Sequence, residues 1–135
     1  MVAFLVFLLV LSALPEQRDQ TRRDRVLRNE LATAQAPVGG RIAEGRPVAI
    51  LRIPALDIRQ VVAEGTTART TMGGAGHVRA TPLPGQAGNS VVMARRSTFG
   101  APFRHLGSLR RGDRVRVVTG QGRFTYRVTG VRTVP

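Results

Sequence analysis

Two runs of alternating apolar and polar residues near the end of the chain set the strongest constraint on its fold. The first run is DRVRVVT (113–119), the second is GRFTYRVTGVRTV (122–134), and Gly120-Gln121 between them is a hairpin signal. In the second run every other residue from Phe124 to Val128 is apolar, which is typical of a half-buried strand. The sequence therefore predicts an antiparallel β-hairpin.

Shorter strand patterns precede this hairpin. PVAILRI (47–53) and RQVVAE (59–64) flank a turn at Pro54-Ala55-Leu56-Asp57, and SVVMA (90–94) forms a further strand. The segment GTTARTTMGGAGH (65–77) can hold one helical turn before a glycine-rich loop. Short strands joined by tight turns predict a mainly β domain, built as a small barrel or sandwich.

The composition narrows the possible partners. The 21 basic residues are all arginine and stand against 8 acidic residues, for a net charge of +13. Such a charge can bind a polyanion non-specifically, but the arginines form no long run and few aromatic residues are available to stack on bases. We therefore expect no nucleic-acid partner, and an arginine-rich polyanion binder stays as an alternative. Because the chain has no cysteine, disulfides, thiolate metal ligands and thiol nucleophiles are excluded from it.

The N-terminus carries a short apolar run. Residues 2–14 are apolar apart from one serine and span about 20 Å as a helix, which is short of the roughly 30 Å hydrocarbon layer of a membrane. Either a signal-peptide region or the end of a membrane anchor fits the run. We favour the anchor, because no basic residue precedes the run and no clear cleavage site follows it. Residues 1–15 are thus predicted as a membrane anchor that is incomplete at its N-terminus.

A helical segment and a linker are predicted between this anchor and the β domain. Residues 16–46 begin with a helix-forming composition, followed by a proline- and glycine-bounded run. Four apolar residues lie roughly on one stripe of the helix: Val26, Leu27, Leu31 and Ala34. We expect a stalk helix and linker over 16–46 and a β-barrel domain, incomplete at its C-terminus, over 47–135.

Several motifs of this β domain together resemble the sortase family, particularly its class E-like group. They are IPALDI (53–58), VAEGT (62–66), GAGH (74–77), TPLPGQAGN (81–89), VVMARRSTFG (91–100), FRHL (103–106), LRRGD (109–113) and YRV (126–128). The resemblance implies a membrane-anchored cysteine transpeptidase fold, an eight-stranded β-barrel of which about six strands are present, closed or partly open. It implies no cofactor.

The resemblance also bears on the chemistry of the site. Sortases use a cysteine thiolate as nucleophile, a histidine as its acid–base partner and an arginine that steadies the substrate. In the family the strand matching VVMA leads into Ala-Gly-His-Arg-Thr-Thr, so Arg95 takes the histidine position. A guanidinium stays protonated and has no acceptor nitrogen, so Arg95 cannot replace the histidine, although it could bind a carboxylate or phosphate. The resemblance places substrate-binding residues along the same turn: Arg96, Ser97, Thr98, Phe99 and Phe103.

The family's cysteine has no counterpart in this chain. By resemblance it lies on a strand beyond the one that ends near Val134, and the family's arginine follows it, so both would fall after Pro135. The chain is then either a fragment or a complete pseudo-enzyme. We favour the fragment, because an open barrel would expose two unpaired strand edges. In both cases the loss of the histidine is a separate lesion, and no intact catalytic residue is predicted.

The expected function is that of a catalytically inactive sortase-family domain at the cell surface. Active relatives cleave C-terminal sorting signals and attach proteins to the cell wall, so the expected partners are a sorting-signal peptide or a cell-wall polymer. The resemblance implies a single-pass membrane protein with an extracellular domain, whereas the arginines that follow the apolar run would favour a cytoplasmic domain. An alternative is a non-catalytic interaction module that completes its barrel with a strand from a partner.

The remaining titratable residues suggest no further chemistry. His77 is predicted to pack in a turn and His105 to face solvent. Asp113 follows Gly112 as a turn residue before a strand, and Glu64 is interpreted as a separate turn carboxylate. The sequence therefore predicts no acid–base pair and no metal site.

Overall fold

A single six-stranded sheet forms the framework of the computed structural model, which describes residues 20–28, 41–95 and 102–132. Its strand order is β4-β3-β2-β1-β5-β6, and all neighbours are antiparallel except β2 and β3. The strands are β1 (Pro47–Ile53), β2 (Ile58–Glu64), β3 (Gly76–His77), β4 (Val92–Met93), β5 (Arg114–Thr119) and β6 (Gly122–Arg127). The sheet is not closed, which confirms the predicted mainly β, partly open architecture.

Two helices accompany the sheet. Helix α1 covers residues 20–28, and helix α2 covers Ala68–Met72. The Thr67 side chain caps α2 by accepting a hydrogen bond from the Thr70 N–H. The turn between β1 and β2 is a 3-10 helix, Pro54–Leu56, that ends at Asp57 in the left-handed conformation (φ 52°). The helical turn and the β1–β2 turn predicted from the sequence are therefore both confirmed.

The core lies on the inner face of the sheet. Leu51, Val62 and Val117 are almost fully buried there, together with Phe103. The hairpin of β5 and β6 turns at Gly120-Gln121, with Thr119 paired to Gly122. The predicted hairpin is confirmed, because its two strands have the alternation that puts one set of side chains on the core.

Helix α1 packs on the outer face of the same sheet. Leu27 is fully buried against Ile50, Val61 and Val118. Burying one leucine side chain contributes about 2 kcal/mol to stability. Val26 is 38% exposed, because neighbouring helix residues lie about 100° apart around the axis. The predicted apolar stripe is therefore confirmed at Leu27 and wrong at Val26, and its other members, Leu31 and Ala34, lie outside the described residues.

Three strand predictions differ from the structure. The predicted strand 90–94 is reduced to β4, because within the described residues it pairs with the two-residue β3 alone. The strand predicted to run to 134 ends at Arg127, which pairs with Arg114 at the start of β5. Strand β3 itself was not predicted. It forms where Gly76 lies so close to the Gly65 carbonyl that a β-carbon would collide with it.

The N-terminal anchor predicted over 1–15 lies outside the described residues. Among the helices of the described ranges, none is long and apolar enough to cross a membrane. Ile42, near the end of the predicted linker, is 5% exposed and belongs to the core. The division into anchor, stalk with linker and barrel domain stays a prediction.

Candidate functional site

Arg95 lies just beyond β4, and its side chain points into the protein. It is 5% exposed. Its Nη2 atom donates hydrogen bonds to the Ala68 carbonyl and to the Thr71 hydroxyl, each at 3.2 Å. Burial lowers the pKa of Arg95 from its usual value, because a charged group is less stable away from water. Arg95, for which the sequence resemblance predicts the position of the family's histidine, is therefore bonded to α2.

The turn after Arg95 contains the other predicted substrate-binding residues. Arg96, Ser97, Thr98 and Phe99 lie outside the described residues. On either side of this segment, the Phe103 N–H donates to the Arg95 carbonyl at 3.3 Å. The described residues that flank the predicted turn are thus joined by a backbone hydrogen bond.

Phe103, the last of the predicted substrate-binding residues, lies in the core and not at the surface. Its side chain is 2% exposed and packs in the inner core. In this conformation it supports the base of the turn. A substrate contact by Phe103 or by the four residues of the turn stays a prediction.

A buried carboxylate–imidazole pair lies at the C-terminal end of β2. Glu64 and His77 are 5% and 1% exposed, and Glu64 Oε1 lies 2.5 Å from His77 Nδ1. On the other side of the ring, Nε2 lies 2.8 Å from the Pro82 carbonyl and 3.1 Å from the Thr81 hydroxyl. The prediction that the chain holds no acid–base pair is therefore wrong, whereas the turn-packing role predicted for His77 is confirmed by its contacts with Thr81 and Pro82.

The hydrogen bonds define the proton content of this pair. The Pro82 carbonyl can only accept, so Nε2 of His77 carries a hydrogen. A second proton must lie between Nδ1 and the carboxylate, because two lone pairs would repel each other at 2.5 Å. The pair is neutral as a whole, whichever of the two groups carries that proton.

Strand pairing brings Glu64 and His77 together. They are opposite each other in the parallel pair of β2 and β3, and the Gly65 N–H donates to the His77 carbonyl at 2.8 Å. Thr81 extends the network, because its hydroxyl donates to the Val78 carbonyl and accepts from the Val91 N–H. The pair is almost fully buried, so it organises this end of the sheet.

His105 and Asp113 are two further titratable residues for which the sequence makes a prediction. His105 is exposed, as predicted. Asp113 Oδ2 accepts a hydrogen bond from the Arg110 N–H at 2.8 Å, which confirms its turn role. Across the described ranges, no group of three or more histidine, aspartate or glutamate side chains could hold a metal ion.

Two polar residues of α1 form a buried network that sequence reasoning missed. The Gln20 amide bonds both backbone groups of Val61, donating to its carbonyl at 3.0 Å and accepting from its N–H at 2.7 Å. Arg23 is 5% exposed and donates to the carbonyls of Thr70 and Ala75 at 2.6 and 3.1 Å. The signal available in the sequence is spacing, since Gln20, Arg23 and Leu27 fall on one helical face.

The TPLPGQAGN segment (81–89) packs against the end of the hairpin. The Gly85 N–H donates to the Tyr126 hydroxyl. Gly85 has φ 91°, and a β-carbon there would collide with the Phe124 ring. Burial raises the pKa of Tyr126, against the opposing effect of the Gly85 hydrogen bond. This close approach connects the loop to β6.

Comparison with known proteins places these features in a family. The model of the sortase domain family matches residues 51–135. Sortase D of Bacillus subtilis is 32% identical over 90 residues, which are 67% of this chain and 44% of that protein. Sortase SrtE1 of Streptomyces coelicolor is 32% identical over 102 residues, which are 70% of this chain and 29% of that protein. The chain thus spans less than half the length of either curated relative.

The solved structure of sortase E from Streptomyces avermitilis shares the fold. It is 38% identical with a TM-score of 0.63, and the match covers 66% of this chain and 60% of that one. The family model and the two curated relatives agree with this similarity, and the matched region contains β2 to β6 and Arg95. On these grounds the chain belongs to the sortase family.

Proposed function

We propose that this chain is a sortase domain that binds a sorting-signal peptide or a cell-wall polymer without catalysing transpeptidation. Sortases are cell-wall transpeptidases. The observation that carries the proposal is the placement of Arg95, which by resemblance occupies the position of the acid–base histidine and is bonded to Ala68 and Thr71 of α2.

The chemistry of arginine supports this loss of activity. In the family reaction the histidine must exchange a proton with the nucleophile and the leaving amine. A guanidinium has no acceptor nitrogen and keeps its charge throughout, even with the lowered pKa that burial gives Arg95. Hydrogen bonds to charged groups contribute about 1.5–3 kcal/mol each. Moving Arg95 out towards a substrate would therefore cost its two bonds to α2.

The proposed location is the outer face of the cell membrane, with the domain attached through the N-terminal segment. The apolar run 2–14 and membership of the sortase family support this placement. The opposite topology, suggested by the arginines after the run, is testable by attaching a reporter enzyme that is active only outside the cytoplasm to the C-terminus. Reporter activity is expected in intact cells, and its absence would contradict the extracellular placement.

Activity is tested with the purified full chain and fluorogenic sorting-signal peptides. Neither the native chain nor Arg95→His is expected to release fluorophore above the buffer rate, with or without an amine acceptor. A sortase with intact catalytic residues serves as the positive control. Turnover by either the native chain or Arg95→His would contradict a non-catalytic domain.

Binding is tested separately by fluorescence anisotropy of the same labelled peptides. We expect Arg96→Gln to weaken binding, whereas Arg104→Gln removes an equal charge outside the predicted turn and should not. Equal loss in the two variants would assign the binding to bulk charge. No binding by the native chain would contradict the peptide-binding part of the proposal.

A second candidate function is an interaction module that accepts a strand from a partner. The observation in its favour is that β6 pairs only with β5 in the part of the chain that the structure describes. Co-expression with the neighbouring reading frame should then give a soluble complex in which the β6 amides exchange hydrogen more slowly. Unchanged exchange in β6, or failure to form a complex, would count against this function.

A further inference from the structure

The outer face of the sheet carries a group of exposed arginines, called here the arginine face. Side chains on this face belong to the same set as Ile50, Val61 and Val118, which contact α1. Away from the contact with α1, the described side chains of this face are exposed to solvent. The arginine face consists of Arg52, Arg59, Arg114, Arg116, Arg123 and Arg127.

Strand register places these like charges directly opposite one another. Arg52 of β1 faces Arg59 of β2 on one side and Arg116 of β5 on the other. Arg114 of β5 faces Arg127 of β6. Neighbouring strands are only about 4.8 Å apart, and like charges opposed across strands destabilise a sheet. The fold therefore retains a repulsive arrangement on this face.

Little negative charge offsets the repulsion. Asp24 of α1 pairs with Arg59 at 2.5 Å and with Arg28 at 3.0 Å. Within the ranges that the structure describes, no acidic side chain forms an ion pair with Arg52, Arg114, Arg116 or Arg123. An external anion is thus the missing complement of the face.

The geometry of the face favours an extended anionic surface over a stacked nucleic acid. Binding of single-stranded nucleic acid relies on aromatic side chains between the basic residues. In β6 the aromatic residues Phe124 and Tyr126 are on the opposite side, where they contact Gly85. The face itself is a sheet surface that presents arginines on four adjacent strands.

The position of α1 brings this face near the N-terminal apolar run. Helix α1 lies on the same side of the sheet, and only residues 15–19 separate it from Leu14. Six residue steps reach at most about 21 Å even when fully extended. This step rests on the proposed membrane placement of residues 2–14, which would keep the arginine face close to lipid headgroups.

We propose that the arginine face docks on anionic phospholipid headgroups and so holds the domain against the membrane surface in one orientation. A basic residue close to an anionic membrane strengthens binding by about fivefold. Several arginines acting together would fix the orientation of the domain, which the apolar run alone leaves free to rotate.

A site-specific label on the full chain tests the orientation. Because the chain has no cysteine, Thr125→Cys introduces one labelling site, directly opposite Arg116. Ala87→Cys is the control, since its loop packs on the other side of β6. Each labelled chain is reconstituted in vesicles of phosphatidylcholine alone or mixed with phosphatidylglycerol, and an environment-sensitive fluorophore is read. A blue shift is expected only for Thr125→Cys in anionic vesicles, with reversal at high salt.

Charge-matched variants test whether the face itself is responsible. The triple variant Arg52→Gln, Arg114→Gln and Arg116→Gln should lower the affinity of the arginine face for anionic vesicles on the order of 100-fold. The blue shift of the Thr125→Cys label should fall with it. The control combines Arg41→Gln, Arg69→Gln and Arg104→Gln, which remove the same charge from exposed positions outside these strands. Equal loss in both triple variants would overturn the proposal, as would an equal blue shift in neutral vesicles.

Three further outcomes separate this proposal from its alternatives. If the face binds duplex DNA more tightly than it binds anionic vesicles, and still does so at moderate salt, the proposal is overturned in favour of a nucleic-acid partner. A chain that fails to stay with vesicles of either type contradicts the proposed membrane anchor. A chain that stays with both but gives no response at Thr125→Cys contradicts the arginine face alone.

Discussion

Glu64 and His77 form a buried contact in which the carboxylate oxygen and the Nδ1 atom are 2.5 Å apart. The residues belong to β2 and β3, the one parallel strand pair of the described sheet. Because the ring also bonds the Pro82 carbonyl, this contact connects two strands and a loop. The same network reaches Val91, next to the strand that leads to Arg95.

Replacing the buried His77 should destabilise the fold far more than replacing the exposed His105. His77→Gln leaves the Glu64 carboxylate buried without its partner, and breaking a buried pair in this way costs about 3–5 kcal/mol. His105→Gln is the matched control at an exposed position and should change stability by less than about 0.5 kcal/mol. Denaturant unfolding followed by circular dichroism measures both, and similar unfolding midpoints for the two variants would contradict the buried pair.

A second stability prediction concerns Arg23 of α1. Arg23→Met keeps much of the side-chain volume but leaves the Thr70 and Ala75 carbonyls without their charged donor. The cost of such unsatisfied buried groups is about 1–3 kcal/mol each. Arg25→Met removes the same charge from an exposed position two residues further along α1 and is the control. Hydrogen exchange at α1 should accelerate only in Arg23→Met; no change there would show that α1 does not depend on this network.

Local patterns explain which parts of this fold could be predicted. Strands β1 and β2 and the β5–β6 hairpin have alternating side chains and turn residues of their own, so their sequences carry the signal. Strand β3 has two residues, one of them glycine, and exists only because β2 and β4 are on either side of it. The Glu64–His77 pair depends on β3, and so it could not be inferred from residues 13 positions apart.

The site shows the same limit. The resemblance of the strand SVVMA to the family predicts Arg95 at the histidine position, but the direction of its side chain depends on α2, which comes from an earlier part of the chain. Arginines on a charged helix favour a solvent-facing interpretation, which is right for Arg25 and wrong for Arg23. Only the docking of α1 on β2 distinguishes the two.

The attachment of α1 should weaken in acid. Burial alone would raise the pKa of Asp24, but hydrogen bonds and charge from Arg59 and Arg28 outweigh it and hold that pKa below its usual value. A carboxylate with a lowered folded-state pKa stabilises the fold above its unfolded value of about 3.9 and loses that contribution as the pH falls through the folded-state pKa.

Denaturant unfolding from neutral pH downwards measures this effect against Asp24→Asn. The native chain should be more stable by up to about 1 kcal/mol at neutral pH, given the partial exposure of the pair. The difference should disappear in strong acid. A pH-independent difference between the two chains would contradict a role for the Asp24 charge.

Removing one arginine from the arginine face should stabilise the fold. Arg116 is opposite Arg52 on one side and Thr125 on the other. Arg116→Thr removes one like-charge contact and adds a β-branched residue, with an expected gain of about 0.2–1 kcal/mol at low salt. Arg69→Thr, on α2, is the control and should give no gain. The gain for Arg116→Thr should shrink as salt rises, and a loss of stability at low salt would contradict the repulsion between strands.

The interior placement of Arg95 leads to the last prediction, which separates its structural role from catalysis. Arg95→His loses the bonds to Ala68 and Thr71 and should destabilise the fold by about 2 kcal/mol or more. Thr71→Val keeps the bond from Arg95 to Ala68 and removes the Thr71 hydroxyl, which accepts from Arg95 and donates to the Thr67 carbonyl. Because no charged group loses all its partners, its cost should be smaller, about 1 kcal/mol. If Arg95 instead served a ligand at the surface, Arg95→His would leave the unfolding midpoint unchanged and alter only peptide binding. Thermal unfolding of both variants, measured with and without a sorting-signal peptide, distinguishes the two roles.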